Sequence, residues 1–357
     1  MMIKIKKIKN KKNLILIVSP VIDSVNFLND YIKQNTTNDD VIIFYDKKET
    51  LGYYDKIKDV ELINIRFTRK YFSFFSLIPL IKNIFIINKK YKNINVILNS
   101  PNSILYLFFF KFLLNKNKIF LIIHGLLEAR SILIRALYKT IVNTLIIFTH
   151  KTISVNSSYT FIFSKKIYYL QNIGFGIINE RYNEIRNHKK IRKKCNEINL
   201  GYVGRYSKEK GIDRFLLLKK ILDKNLKQYK FNFYAYGDKK IIDKQIISKK
   251  ILYDKKEIAQ FYSLIDILIF PSRGDSVGLA QLEALSSGAL VLASNNNGSN
   301  QLKQIFNDYM FIIDRWDKKN IILIIEKILD NLESSSLKLI KKNKSNFVLE
   351  NWEKIFQ

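Results

Sequence analysis

Short apolar runs alternate along this chain with longer segments whose apolar positions recur every three or four residues. That alternation predicts buried parallel strands joined by crossover helices. In the first half the strand-like runs are Leu14–Ser19, Val41–Tyr45, Val96–Asn99, Ile119–His124 and Thr152–Asn156, while Val25–Lys33 and Ala129–Phe148 have helical spacing. The stretch NERYNEIRNHKKIRKKCN, Asn179 to Asn196, is charged and poor in apolar residues, as a linker would be. A second series follows: strand Leu200–Val203, a helix from about Gly211, strands Phe231–Tyr236 and Ile267–Phe270, helix Gly278–Ser286 and strand Leu290–Ala293. The expected organisation is α/β: a doubly wound Rossmann-like domain over 1–180, a linker over 181–196, a second such domain over 197–335 and a closing helix over 336–357. Two such domains imply a central cleft, with ligands at the carboxyl ends of the strands.

Composition narrows the class. Apolar residues make up 47% of the 357 and charged residues 26%, which suits a globular chain rather than a disordered one. Cys195 is the single cysteine and there are three histidines, so neither an internal disulfide nor a bound metal is expected, and a reducing cytoplasm fits. Leu14–Val18 is too short for a signal core, and Tyr71–Ile81 and Ile104–Leu114 fall short of the roughly 18 residues of a spanning helix. The net charge of +30 leaves three readings open: lysines scattered over solvated faces, an anionic membrane surface, or nucleic acid. No nucleic-acid module is recognisable, so that partner is not expected. The stretch Ile65–Lys92, IRFTRKYFSFFSLIPLIKNIFIINKKYK, sets aromatic and aliphatic residues between cations, and Pro79 within it suggests a bent or two-part segment. It is either core or a surface for the inner face of the cytoplasmic membrane.

Two stretches of the second half carry chemistry. The strand ending at Gly204 leads into Arg205-Tyr206-Ser207-Lys208-Glu209-Lys210-Gly211. Arg205 at the strand exit and Lys210 at the next helix start, with helix N–H groups behind them, would receive a diphosphate. Ordinary solvated charges on a surface loop would read the same. Farther on, the strand Ile267–Phe270 runs through Pro271-Ser272-Arg273 to Asp275 and Gly278, and into a helix carrying Glu283. Asp275 and Glu283 are thus placed at the helix entrance and inside it, where two acids could hold hydroxyls at opposite ends of one ligand. Glu283 lies among Leu282, Ala284 and Leu285, where an unpaired carboxylate is costly, so a purely structural role is the alternative.

From Asn199 to Asp314 the order GR…EKG, a strand ending Tyr236-Gly237-Asp238, PSR, an acid-x7-acid pair and LEALSSG resembles the retaining group 1 glycosyltransferases of the GT-B fold, glycosyltransferase family 4. LIIHGLLEAR (Leu121–Arg130), ISVNSS (Ile153–Ser158), LQNIGFG (Leu170–Gly176) and the tail NFVLENWEKIFQ match more loosely. The resemblance implies an acceptor-binding first domain, a nucleotide-sugar-binding second domain, and a closing helix that returns to the first. It implies a donor site of Gly204, Arg205, Lys210, Gly237, Asp275, Ser276, Val277, Gly278, Leu279 and Glu283. Arg205 and Lys210 would grip the diphosphate, Glu283 the ribose, and Asp275 and His124 the transferred sugar, although a histidine followed by glycine at a strand end is also a common structural feature. The implied reaction moves a sugar, with retention and without metal or cofactor, from a UDP- or GDP-sugar to a saccharide or lipid-linked acceptor of envelope polysaccharide or lipopolysaccharide. The alternatives are a GT-B protein that binds nucleotide-sugar without turnover, and a nucleotide-sugar epimerase of the same fold. The sequence differs from the family in having Asp275 for the usual Glu, Ser276-Val277 for a Gly-aromatic pair, Gln301 for Glu, and Ser19–Ser24 where a glycine-rich loop is usual.

Overall fold

The computed structural model describes residues 13–19, 28, 32, 35–36, 39–45, 60–64, 74–99, 118–124, 132–156, 159, 161–169, 197–238, 243, 245–250, 255–275 and 278–342. Described residues up to Tyr169 fall in one compact unit, and those from Glu197 onward in another. The expected linker, the LQNIGFG segment, the loop after Ser19 and the tail beyond Lys342 lie outside the described residues.

In the first unit the elements are β1 (Asn13–Ser19), β2 (Asp40–Tyr45), β3 (Val60–Asn64), α1 (Phe74–Lys90), β4 (Asn93–Leu98), β5 (Lys118–Ile123), α2 (Ile132–Ile146), β6 (Lys151–Ser154) and β7 (Ile167–Tyr169). They form a parallel sheet in the order β3-β2-β1-β4-β5-β6-β7. Helices over a parallel sheet bury its strands, which is why β1 reads as the unbroken run LILIV. The side chains of Leu14, Leu16 and Val18, of Ile94, Val96 and Leu98, and of Ile119, Leu121 and Ile123 form one core with Ile84 and Ile87 of α1 and Val142 and Ile146 of α2. α1 and α2 therefore cover the same sheet face.

A bent or two-part segment was expected around Pro79, and α1 is one element rather than two. Pro79 is its sixth residue, so the ring removes a single N–H, the one that would bond Phe75, close to an end where the first four N–H groups have no intrahelical acceptor.

The second unit runs β8 (Glu197–Val203), α3 (Ile212–Asn225), β9 (Lys230–Gly237), β10 (Ile246–Lys250), α4 (Lys255–Leu264), β11 (Ile267–Phe270), α5 (Leu279–Ser287), β12 (Leu290–Ser294), α6 (Asn297–Ile305), β13 (Met310–Ile313) and α7 (Lys318–Lys342). Its parallel sheet has the order β10-β9-β8-β11-β12-β13. The order reverses between β8 and β11, and in doubly wound sheets ligands bind beside such a reversal, outside the carboxyl ends of the strands. α7 runs without a break through positions 335 and 336, where the closing helix was expected to begin.

Candidate active site

The reversal in the second sheet brings together the two stretches singled out in the sequence. Gly204 closes β8, its N–H donating to the Tyr236 carbonyl at 3.0 Å. Arg205 follows with its side chain 56% exposed and only a 3.9 Å approach to Glu209, so the guanidinium stands largely in water. The turn then reaches Gly211, the N-cap of α3, at φ 77°. A Cβ there would lie 2.1 Å from the Pro271 carbonyl oxygen, so glycine lets the β8 turn close against the loop after β11.

A clamp holds the two loops. Arg273 donates both guanidinium arms to Asp213 at 2.8 and 2.7 Å, donates to the Lys208 carbonyl, and gives its backbone N–H to Glu209 at 2.9 Å. The bidentate contact holds the Asp213 carboxyl below its ordinary pKa. Arg214 donates to the Pro271 carbonyl and to Ser294 Oγ, at 3.2 and 3.0 Å, and Trp316 Nε1 donates to the same hydroxyl.

Inside this frame Lys210 Nζ donates to Asp275 Oδ2 at 2.6 Å, with the side chains 26% and 18% exposed. Asp275 also accepts from the Gly278 N–H at 3.2 Å through Oδ1, and its carbonyl accepts from Gly298 at 2.9 Å. Gly278 at φ 65° caps α5, of which Leu279 is the first residue and Glu283 the fifth. Glu283 is 3% exposed and Oε2 accepts from the Tyr262 hydroxyl at 2.6 Å. Gly237, at the end of β9, lies beneath the Tyr206 ring, whose hydroxyl donates to the Ala235 carbonyl. Ser276 and Val277 lie outside the described residues.

Three polar side chains beside this cluster have atoms with no hydrogen-bond partner among the described residues: both amide atoms of Gln281, Ser299 Oγ and Gln301 Oε1, all buried in α5 and α6. An unmatched buried polar atom is costly in a folded chain.

His124 belongs to the first unit. It follows β5, and its Nε2 lies 2.9 Å from Asn99 Oδ1, while Asn99 Nδ2 lies 3.5 Å from Ser19 Oγ. These three residues sit at the carboxyl ends of β5, β4 and β1, beside the order reversal of the first sheet. Burial pushes the His124 pKa down to about 4, so the ring is neutral at pH 7.

Sequence reasoning missed Arg273, Asp213, Tyr262, Asn99 and Ser19. PSR was quoted as a pattern, but the partner of its arginine lies 60 residues earlier. Nothing in the spacing of Tyr262 marks it as the donor to Glu283.

Residues 183–346 match the family of glycosyl transferases group 1. A further similarity, 35% identity over 114 residues, is to an uncharacterised 41.2 kDa protein in the cps region of Klebsiella pneumoniae, covering 29% of this chain and 31% of that relative. Among solved structures, sucrose-phosphate synthase from Thermosynechococcus elongatus aligns over 96% of both chains at 14% identity with a TM-score of 0.66. Anabaena HepE in complex with UDP and glucose aligns over 94% of this chain and 95% of its own, at 14% identity with a TM-score of 0.64. The two parallel α/β units thus have the fold of GT-B glycosyltransferases, and the second carries the group 1 sequence pattern.

Proposed function

We propose that this chain transfers a sugar, with retention of configuration, from a nucleotide-sugar to a saccharide or lipid-linked acceptor in the synthesis of an envelope polysaccharide. The observation that carries the reading is the pairing of Lys210 with Asp275 where the order of the second sheet reverses, with exposed Arg205 on the same turn and Glu283 one helical turn inside α5. The group 1 match over the same residues supports it. UDP in the HepE structure favours a uridine nucleotide, and the cps location of the Klebsiella relative favours a polysaccharide.

On this reading Arg205 and Lys210 face the donor diphosphate, and Asp275 keeps the Lys210 ammonium aimed at the helix entrance. The bond from the anomeric carbon to the diphosphate oxygen breaks as the acceptor oxygen bonds that carbon. The acceptor proton passes to the leaving diphosphate oxygen. The two cations offset the charge that develops there, so the chemistry rests on positioning and charge stabilisation and calls for no metal. Neutral His124 would hold a hydroxyl of the transferred sugar.

A thermal-shift screen of UDP-, GDP-, ADP- and CMP-sugars, followed by turnover with the hit, tests the proposal. A rise in melting temperature with one nucleoside diphosphate family and sugar transfer from it are expected. A rise with nucleic acid alone would overturn the reading, and a shift without product would leave donor binding but remove catalysis.

A further inference from the structure

Asn99, just past the end of β4, is fully buried and tied to the neighbouring strand β1 twice. Its N–H donates to the Val18 carbonyl at 2.9 Å, and its Nδ2 donates to Ser19 Oγ at 3.5 Å. Ser19 is fully buried as well. β4 lies between β1 and β5, so these contacts set the Asn99 amide from one side while His124 meets it from the other. There Oδ1 lies 2.9 Å from His124 Nε2. A carboxamide oxygen has lone pairs only, so the proton of this bond belongs to Nε2. A neutral imidazole carries one N–H, and Nδ1 is therefore the unprotonated nitrogen.

That the partner is a carboxamide decides the charge of the ring. A carboxylate in the same place would attract an imidazolium and hold its proton to higher pH. Asn99 offers an acceptor of the same shape without the charge. Burial is the one cause of the lowered His124 pKa, and no charged side chain among the described residues contributes to it. The surroundings are neutral too. The chain carries 61 lysines and arginines, yet β1, β4, β5 and β6 run out into Ser19, Asn99, His124 and Asn156. Ser19, Asn99 and Asn156 are fully buried, and buried polar groups of this kind are held by hydrogen bonds.

We propose that Asn99 is the positioning residue of His124: anchored on β1, it holds the ring in one plane, uncharged, with the proton on Nε2. A ring kept in one orientation and one protonation state presents the same group to every sugar it meets, and that constancy is what positioning requires. The inference rests on the proposed sugar transfer for what His124 touches, and on the geometry of the first unit for the tautomer.

The sequence has three histidines, His124, His150 and His188, which makes the test direct. A long-range proton–nitrogen correlation spectrum of the full chain, with isotope-labelled histidine, reports which ring nitrogen carries the proton, and His124→Gln identifies the signals. At pH 7 the parent should show His124 protonated on Nε2 alone. Asn99→Leu should abolish that preference. Asn99→Asp should keep the Nε2 proton and move the midpoint of the His124 titration up by at least about one pH unit. With the donor found in the screen, the acid limb of kcat/KM should move up with it. Asn99→Leu should lower kcat/KM by roughly tenfold to a hundredfold while the melting-temperature rise with nucleoside diphosphate stays. If Asn99→Leu fails to fold, the parent spectrum and the Asn99→Asp titration decide. A parent ring protonated on Nδ1 would mean that the amide is turned the other way and would overturn the proposal, as would parental tautomer and titration in both variants. An Nε2 proton that depends on Asn99, in a protein that binds no nucleoside diphosphate, would uphold the positioning of His124 and count against the donor site.

Discussion

Lys210 and Asp275, 65 residues apart in sequence, meet through a 2.6 Å hydrogen bond that ties the turn after β8 to the loop after β11. The pairing orients a cation that would otherwise sample many rotamers. It also makes each residue the other's principal charge partner.

Arg205→Ala and Lys210→Ala should each lower turnover by roughly 10²–10³, about 3–4 kcal/mol, as for the loss of one preorganised charge-stabilising group. Their effects on folding should differ. Arg205 is 56% exposed and loosely placed, so its removal should leave the melting temperature unchanged. A double-mutant cycle of Lys210→Met and Asp275→Asn should be non-additive by about 0.5–3 kcal/mol in denaturant unfolding. Near-normal rates in both alanine variants would place the donor site elsewhere.

If Glu283 holds the donor ribose as proposed, Glu283→Gln should weaken nucleoside diphosphate binding in calorimetry, because a charge-assisted contact would become a neutral one. Tyr262→Phe should cost about 1–3 kcal/mol of stability, since it removes a buried hydroxyl from the carboxylate. If Tyr262→Phe leaves stability intact, the hydroxyl contributes nothing net to holding Glu283.

The pH dependence of His124 follows from its lowered pKa, about 4 in the fold. The unfolded chain takes up the proton near pH 6.5 and the folded chain does not, so the contribution is fully present above about 6.5 and is lost as pH falls toward 4. His124→Gln should therefore flatten the fall of melting temperature across that window. Parallel profiles for parent and variant would mean that the ring titrates normally.

Gly211→Ala should destabilise by more than about 1 kcal/mol, because alanine resists positive φ and its methyl meets the Pro271 carbonyl. Nucleotide affinity should fall with it, as the two donor loops separate. A stable variant with parental affinity would show that the loops need not touch.

Why some elements were legible and others not has a common physical reason. The interior strands β1, β2, β4, β5, β6, β8, β9, β11 and β12 fall where the apolar runs place them, within three residues at either end. The four strands that were not anticipated, β3, β7, β10 and β13, are the four edges of the two sheets. An edge strand pairs on one side only and is partly covered, so VELIN and IISKK carry polar residues that hide the pattern. The site divides in the same way. Arg205, Lys210, Asp275 and Glu283 are candidates because motif spacing along the chain marks them, and the fold sets Lys210 against Asp275. The Arg273–Asp213 clamp, the Tyr262 hydroxyl and the Ser19–Asn99–His124 chain depend on which strands become neighbours, and local spacing carries no trace of that.

The strand order of the first sheet has a consequence for synthesis. β1 lies between β2 and β4, and Asn13 faces Asn93, so this interior strand gains its second neighbour only after about 80 further residues have been made. At a translation rate of roughly 5–20 residues per second, the freshly emerged LILIV run spends some seconds with one side unpaired. Until residue 98 leaves the ribosome, that open strand is the segment most in need of a chaperone.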